Sequence, residues 1–527
     1  MTELPETAPP TTHREPGDGL PLREILLLLG ILAVAAGLRN LHISSESLWH
    51  DEVASVQYLD VPAFTQFIQQ ERLIDPATVP VYFWLEYQWW HRVSASETGL
   101  RALSVLFGML TVFLIWHTGR TLFGSACGLF AAWCLAFAHL HIYQSQEIRM
   151  YALMYLLALA SMLAIHQAVT KNRPSWWAAH FITSALLVWT HVLGILVLAA
   201  QGLWLLWTWR RSPLRIVGWG AAQLPYLLPL AVWILGFDKE LVNEHVGWQQ
   251  APGLNVLAKT FCAVLPGAFL DADPALWRFS IVGLSSLAVG ALVWASALWA
   301  LATDGKHTSP EEANADGTDT GVRPLLLMVL WCVTPVLSLF FVSITLRPCF
   351  VERYFAHCAF PLLLVAGAGF ARMPRHWRLG VIAAVTLAFA GTLGAMDRPL
   401  RPDMRRAAHH VNAQLRDNES VYLRDPFNTG LAFCYYAALP DDRVVIDEDF
   451  VDLALRDIKE GRGAWIVHTP IGKRIQRTFK EGAEQAGMRL DVVLLPGRRP
   501  ITLLHAARPS KAARGEDDSR SSASPAE

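Results

Sequence analysis

The chain has 527 residues, of which 53% are hydrophobic and only 17% charged, and its mean hydropathy is +0.30. That balance excludes an ordinary soluble enzyme, a disordered chain and a collagen-like repeat. Lys and Arg number 44 against 45 Asp and Glu, a net charge of −1, so no global basic field exists to hold nucleic acid.

Residues 1–21 are rich in Pro, Thr and Glu and are expected to form a disordered cytoplasmic N-terminus. No short apolar region with a small-residue cleavage site precedes the first apolar run, which therefore reads as a retained span. Eleven runs have the roughly 17–25 apolar residues that a bilayer demands. They lie at 22–38, 101–119, 125–142, 150–169, 176–190, 192–209, 214–236, 279–302, 324–345, 355–371 and 378–396. The fifth and sixth touch at Thr190-His191, which predicts one tight turn between them. The pattern predicts a polytopic α-helical membrane protein with about 11 transmembrane helices. The 21 tryptophans suit its interfacial belts.

Orientation follows from the short basic connections. One side carries Arg120, Lys171, Arg173, Arg210, Arg211, Arg215, Arg372, Arg375 and Arg378, and the other only Arg149, Arg347 and Arg353. The first side reads as cytoplasmic. The transmembrane module then covers 22–396, with outer loops at 39–100 and 237–278 and a polar cytoplasmic loop at 303–323. The first outer loop holds amphipathic stretches at 61–72 and 80–92, the second rich in aromatic residues. An odd span count puts 397–508 outside. A helical start (RPDMRRAAHHVNAQL) and short apolar runs (VYLRD, RVVID, AWIVH, DVVLLP) predict an extracytoplasmic α/β domain there. Residues 509–527 read as a disordered tail. The seven cysteines lack CxxC or His/Cys spacing, so neither a disulfide framework nor a zinc site is expected.

Ionisable residues are costly near hydrocarbon and are often functional. Here they gather at the outer ends of the expected spans: Asp51-Glu52, Glu147, Arg149, His191, Glu352 and Arg353. The adjacent acids Asp51 and Glu52 read either as a solvated pair at a helix N-terminus or as a general base or metal ligand. Arg149 and Tyr151, like Arg353 and Tyr354, read either as interfacial anchors or as a grip on phosphate. Two such motifs on one side, beside an acidic pair, exceed what anchoring needs. His191 reads more simply as a satisfied polar residue in a turn. No Gly-rich phosphate cradle is present, which argues against a nucleotide-linked substrate.

Taken in order, SLWHDEVAS, PVYFWL, SETGLRALSVLFGMLTVFLIWHTGRTLFG, HIYQSQEIRMYALMYLLALAS, WTHVLG and VERYFAHCAFPLL resemble the bacterial GT-C glycosyltransferases related to dolichyl-phosphate-mannose–protein mannosyltransferases (glycosyltransferase family 39-like). The likeness runs from about 44 to 365. The terminal RPDMRRAA segment also looks like the start of the outer domain of many bacterial members. The resemblance implies a polyprenyl-phosphate-linked sugar donor, an acceptor hydroxyl supplied by lipid, glycan or protein, and inverting transfer on the outer face of the inner membrane. It implies catalytic roles for Asp51 and Glu52. It implies donor-phosphate binding by Arg149, Tyr151, Arg353 and Tyr354, with Gln146, Glu147, His191 and Glu352 lining the site. Where relatives often read His-Pro-Pro-Leu-Tyr, this chain has Asp75-Pro76-Ala77-Thr78-Val79-Pro80-Val81-Tyr82, which puts any role of that His in question. No motif requires a cofactor, and the acidic pair leaves a divalent cation as an alternative. A transporter or lipid-linked-sugar flippase is the second reading. It calls for two matching halves and broken midplane helices, whereas here the halves do not match and the charges lie at one face.

Overall fold

A computed structural model describes residues 20–75, 78–237, 240, 251–263, 323–393, 401–425, 429–469, 473–496 and 500–508, with short helical pieces between 291 and 299. The statements below concern these residues. The expected spans at 279–302 and the loop at 303–323 fall almost wholly outside them.

Ten of the apolar runs are helical. The first is α1 (Leu22–Asn40). Three short helices then build the first loop: α2 (His50–Val56), α3 (Phe64–Ile74) and α4 (Pro80–Arg92). Pro80 opens α4 at a position where its missing N–H costs nothing. Next come α5 (Glu97–Phe123), α6 (Ser125–Phe137), α7 (His139–Ser145), α8 (Tyr151–Lys171), α9 (Pro174–Thr190), α10 (Ile195–Thr208) and α11 (Pro213–Leu235). After α12 (Leu254–Ala263) follow α13 (Pro324–Thr345), α14 (Ala359–Arg372) and α15 (Arg375–Leu393). Five helical stretches are long and apolar enough to cross a membrane: 97–123, 151–171, 213–235, 324–345 and 353–372. With this composition the chain is a multi-pass membrane protein. Exposed apolar side chains such as Leu26, Phe113, Leu228 and Phe341 point outward, where hydrocarbon would meet them.

Two details differ from the sequence reading. The third run is not one straight span: α6 and α7 meet at Ala138 with a bend of 66°. Close packing accompanies the bend. Gly108 of α5 lies so near α7 that a Cβ there would sit 2.2 Å from Ser145 Oγ. The turn between α9 and α10 consumes more chain than expected: His191 is extended and Val192–Gly194 forms a 3-10 turn before α10 begins.

The terminal residues form a five-stranded sheet flanked by helices, in order β2-β1-β3-β5-β4. The elements are α16 (Met404–Gln414), β1 (Glu419–Leu423), α17 (Leu431–Ala437), β2 (Val444–Ile446), α18 (Phe450–Lys459), β3 (Gly463–His468), α19 (Lys473–Gln485), β4 (Arg489–Leu495) and β5 (Ile501–Ala507). β1 is parallel to β2 and β3, whereas β5 runs antiparallel between β3 and β4. The sequence reading did not anticipate β5, whose residues are buried on both faces and so show no alternation. Strand periodicity divides the sheet between two cores. Val421, Leu423, Trp465 and Leu503 join the core shared with the membrane helices. Tyr422, Ala464, Ile466 and Leu504 pack with Phe450 and Phe479 in a second core.

Candidate active site

The site begins where α1 ends and the chain turns into α2. Glu52 lies in the first turn of α2 and is completely buried. Such a carboxylate requires partners on every side. Arg101, at the start of α5, reaches Glu52 Oε1 at 3.4 Å through Nε and Oε2 at 3.1 Å through Nη2. The Ile148 amide donates to Oε1 at 3.0 Å. Arg401, on the segment that leads into the terminal sheet, donates to Oε2 through Nη1. Burial alone would raise this carboxyl, but Arg401, Arg101 and the Ile148 amide hold it below its usual value.

Asp51 is different. Its side chain is 17% exposed. His50 Nε2 lies 3.0 Å from Oδ1, and Arg353 Nη2 lies 3.4 Å from Oδ2. Oδ2 accepts no hydrogen bond. Burial pushes its pKa up, yet Arg353, His50 and Arg149 outweigh burial and hold it well below the usual carboxylate range.

Arg149 follows α7 and is almost inaccessible. Its Nη1 donates to the Asp51 carbonyl at 3.1 Å and to Ser55 Oγ at 3.0 Å. Its Nη2 donates to Asp75 Oδ2 at 3.2 Å. The stretch that departs from the His-Pro-Pro pattern thus supplies an acid to this arginine. Arg353 sits in the 3-10 turn Glu352–Cys358 ahead of α14. Its guanidinium lies 5.6 Å from the Trp49 ring centroid and 5.9 Å from that of Tyr151. The Nε of both arginines is buried without a partner.

Glu147 accepts from Arg401 Nη2, and Arg401 also donates to Tyr143 Oη at 2.9 Å and covers the Trp49 ring at 4.8 Å. Burial raises the Glu147 carboxyl to about 7, helped by the nearby Glu52 and Asp51 and opposed by Arg401 and Arg353. The rings of Tyr151, His191 and Tyr354 close the opposite side, 5.3–6.3 Å apart. Burial and the two neighbouring arginines depress the His191 imidazole to about 3, so it is neutral.

Of the residues singled out in the sequence, Asp51, Glu52, Glu147, Arg149, Tyr151, His191, Arg353 and Tyr354 thus come together. Gln146 does not face them: its amide donates to the carbonyls of Arg39 and Leu41 and ties down the end of α1. Glu352 opens the 3-10 turn, but its side chain lies outside the described set. The sequence reading missed Arg101, Arg401, Asp75, Ser55, Trp49 and Tyr143. Among the described residues no group of three or more His, Cys, Asp and Glu is spaced to hold a metal. The carboxylates of Asp51 and Glu52 are already directed at cations, so this donor set does not fit a divalent ion.

Residues 76–234 match the family model of dolichyl-phosphate-mannose-protein mannosyltransferases. That stretch, under a third of the chain, is similar to the family. A likeness in fold extends well beyond it. The crystal structure of ArnT from Cupriavidus metallidurans in the apo state superposes with a TM-score of 0.52 at 15% identity, covering 92% of this chain and 98% of that one. The same protein bound to undecaprenyl phosphate gives 0.50 at 14% identity, covering 90% and 97%. At this identity the likeness is one of fold. No curated protein matches the chain.

Proposed function

We propose that this protein transfers a sugar from a polyprenyl-phosphate-linked donor to an acceptor hydroxyl, with inversion, at the outer face of a bacterial inner membrane. The observation that carries the reading is the placement of Asp51. A partly exposed carboxylate stands between Arg353 and Arg149, and each arginine keeps an unpartnered Nε–H. Guanidinium groups suit the oxygens of a phosphate. A carboxylate beside them suits a hydroxyl proton. The family match and the fold, which the undecaprenyl-phosphate-bound structure shares, support a lipid-linked donor.

In this reading the acceptor oxygen attacks the anomeric carbon as its proton passes to Asp51. The bond from that carbon to the phosphate oxygen breaks, and its electron pair leaves with polyprenyl phosphate. Arg353 and Arg149 stabilise the developing charge. Phosphate binding also tunes the base. In the free protein the arginines hold Asp51 far too acidic for an effective base. Once they engage phosphate, their field at Asp51 is shared and its affinity for a proton rises. Glu52, with both oxygens occupied, positions the loop and takes no proton. Tyr151, Tyr354 and neutral His191 wall the site. The clustered basic connections support a cytoplasmic opposite face.

The test is direct. Purified protein is incubated with polyprenyl phosphates carrying different sugars, and glycolipids and glycoproteins from cells with and without the gene are compared by mass spectrometry. Sugar transfer that disappears in Asp51→Asn is expected. Lipid translocation without any transfer would refute the proposal.

A further inference from the structure

A second polar cluster adjoins Arg149 and plays no part in the step described above. Glu71 lies in the last turn of α3 and Glu86 in the middle of α4, and both are completely buried. None of their four carboxyl oxygens has a hydrogen-bond partner. Thr78 Oγ1 and Arg149 Nε, on residues more than nine-tenths buried, are also unpartnered. The two acids interact electrostatically, and Glu71 also feels Arg149, Asp75 and Asp51, which places the cluster beside the proposed base. Asp75, one helical turn beyond Glu71, already contacts Arg149.

These acids are not needed to join the helices. Phe67 of α3 packs against Phe83 and Tyr87 of α4, with ring centroids 6.3 and 5.9 Å apart, and Phe64 meets Tyr87 at 5.7 Å. A buried acid without partners costs free energy, and apolar residues of the same size would pack there at no such cost. Unsatisfied groups of this kind point to a ligand that satisfies them. Burial pushes both carboxyls well above the usual range, so they enter the site as neutral acids. A neutral carboxyl carries one donor and one acceptor, as a sugar hydroxyl does. Phosphate would prefer cations, and a metal would prefer ionised carboxylates.

We infer that Glu71 and Glu86 form the subsite that grips hydroxyl groups of the transferred sugar and so decide which sugar is accepted. The inference rests on the glycosyl-transfer reading and extends it to specificity. The helices α3 and α4, which flank the departure at 75–82, would then hold the sugar, while Arg149 and Arg353 hold its phosphate.

The experiment uses the full-length protein in detergent. Binding is measured for bare polyprenyl phosphate and for the same lipid carrying mannose, glucose, galactose or arabinose. The wild type should favour one sugar-bearing lipid over the bare one. Glu71→Met and Glu86→Met should each reduce that advantage about tenfold, the scale of a lost buried hydrogen-bond pair, and leave bare-lipid affinity unchanged. Glu71→Gln and Glu86→Gln keep a donor and an acceptor and should retain most of it. The Met variants should melt no lower than the wild type, because no protein partner is lost. Met variants that keep the full sugar advantage would overturn the inference. So would Met variants that melt lower with unchanged sugar preference, since the acids would then be structural. A wild type that binds bare and glycosylated lipid equally would overturn it while leaving the phosphate site standing. A wild type that binds none of these lipids would refute the glycosyl-transfer reading and this inference with it.

Discussion

Arg401 and Glu52 form a buried ion pair across 349 positions of chain. The segment that enters the terminal sheet therefore completes the wall behind the first-loop acids. Nearby bonds repeat the attachment: Ser47 Oγ donates to the Pro402 carbonyl at 3.0 Å, the Leu48 amide donates to Tyr436 Oη at 2.7 Å, and Tyr436 donates to Glu97 at 3.1 Å. The terminal sheet is thus joined to the site rather than appended to it.

Arg401→Ala should be severely destabilising. Among the described residues it leaves Glu52 with Arg101 as its one ion-pair partner, beside the Ile148 amide, and Glu147 with none. Breaking one partner of a buried pair costs about 3–5 kcal/mol. Arg401→Lys should rescue only part of this, because a single ammonium does not span both carboxylates and Tyr143. Melting in detergent, with proteolysis of the terminal sheet as a second readout, checks the ranking. A normal melting curve for the alanine variant would contradict it.

The arginines on the other side of Asp51 should behave differently. Arg149→Lys and Arg353→Lys keep the charge but lose the fork. Each should lower turnover by about ten- to a hundredfold, the scale of charge-assisted hydrogen bonds, with a raised KM for the lipid donor. Near-normal kinetics in both would make them interfacial anchors. Arg149→Lys should also loosen Asp75 and Ser55, so its melting temperature should drop more than that of Arg353→Lys.

Much of this was legible in the sequence, for physical reasons that particular residues make plain. Apolar runs of bilayer length read reliably because no other environment tolerates them, hence α5, α8 and α13. Asp51-Glu52 and the Glu147–Tyr151 motif stood out because they are short, local and charged beside apolar chain, and the fold brings them together. Arg401 did not, since its partners are set by tertiary packing and its neighbourhood looks like an ordinary basic helix start. Glu86 was hidden in an aromatic stretch that resembled an interfacial belt. The break at Ala138 carries no Pro or Gly, so nothing local announced it.

Glu147 should give stability a pH dependence. Its carboxyl is raised from 4.5 to about 7 in the fold, so the folded protein binds the proton more tightly than the unfolded chain. That contribution is fully present below about pH 4.5 and is lost as pH rises through about 7. The shift corresponds to a loss on the order of 3 kcal/mol. Glu147→Gln cannot ionise, so it should gain on the wild type across this window. Melting curves from pH 4.5 to 8.5 test it, and parallel profiles for the two proteins would be the contrary result.

Membrane orientation is open to a separate check. Reporter fusions at 310 and 450 should report opposite compartments, with 450 outside the cytoplasm. The same compartment for both would break the eleven-span reading and move the site to another face.

Asp51 and Glu52 should separate catalysis from architecture. Asp51 is partly exposed and lacks a hydrogen bond on Oδ2, so Asp51→Asn removes basicity with little loss of packing. Its turnover should fall about a hundredfold or more, the usual scale for losing a general base. Donor binding should persist and even tighten, because phosphate would no longer compete with the carboxylate for Arg353. Glu52→Gln should fail in another way. It removes a charge on which Arg101 and Arg401 converge, so the variant should melt well below the wild type before its activity is considered. The kcat/KM profile gives an independent test. In the free protein Asp51 stays ionised far into acid, so no acid limb near pH 4 should vanish on Asp51→Asn. If Asp51→Asn keeps most of its turnover while melting normally, the base lies elsewhere and the mechanism proposed for this site is wrong.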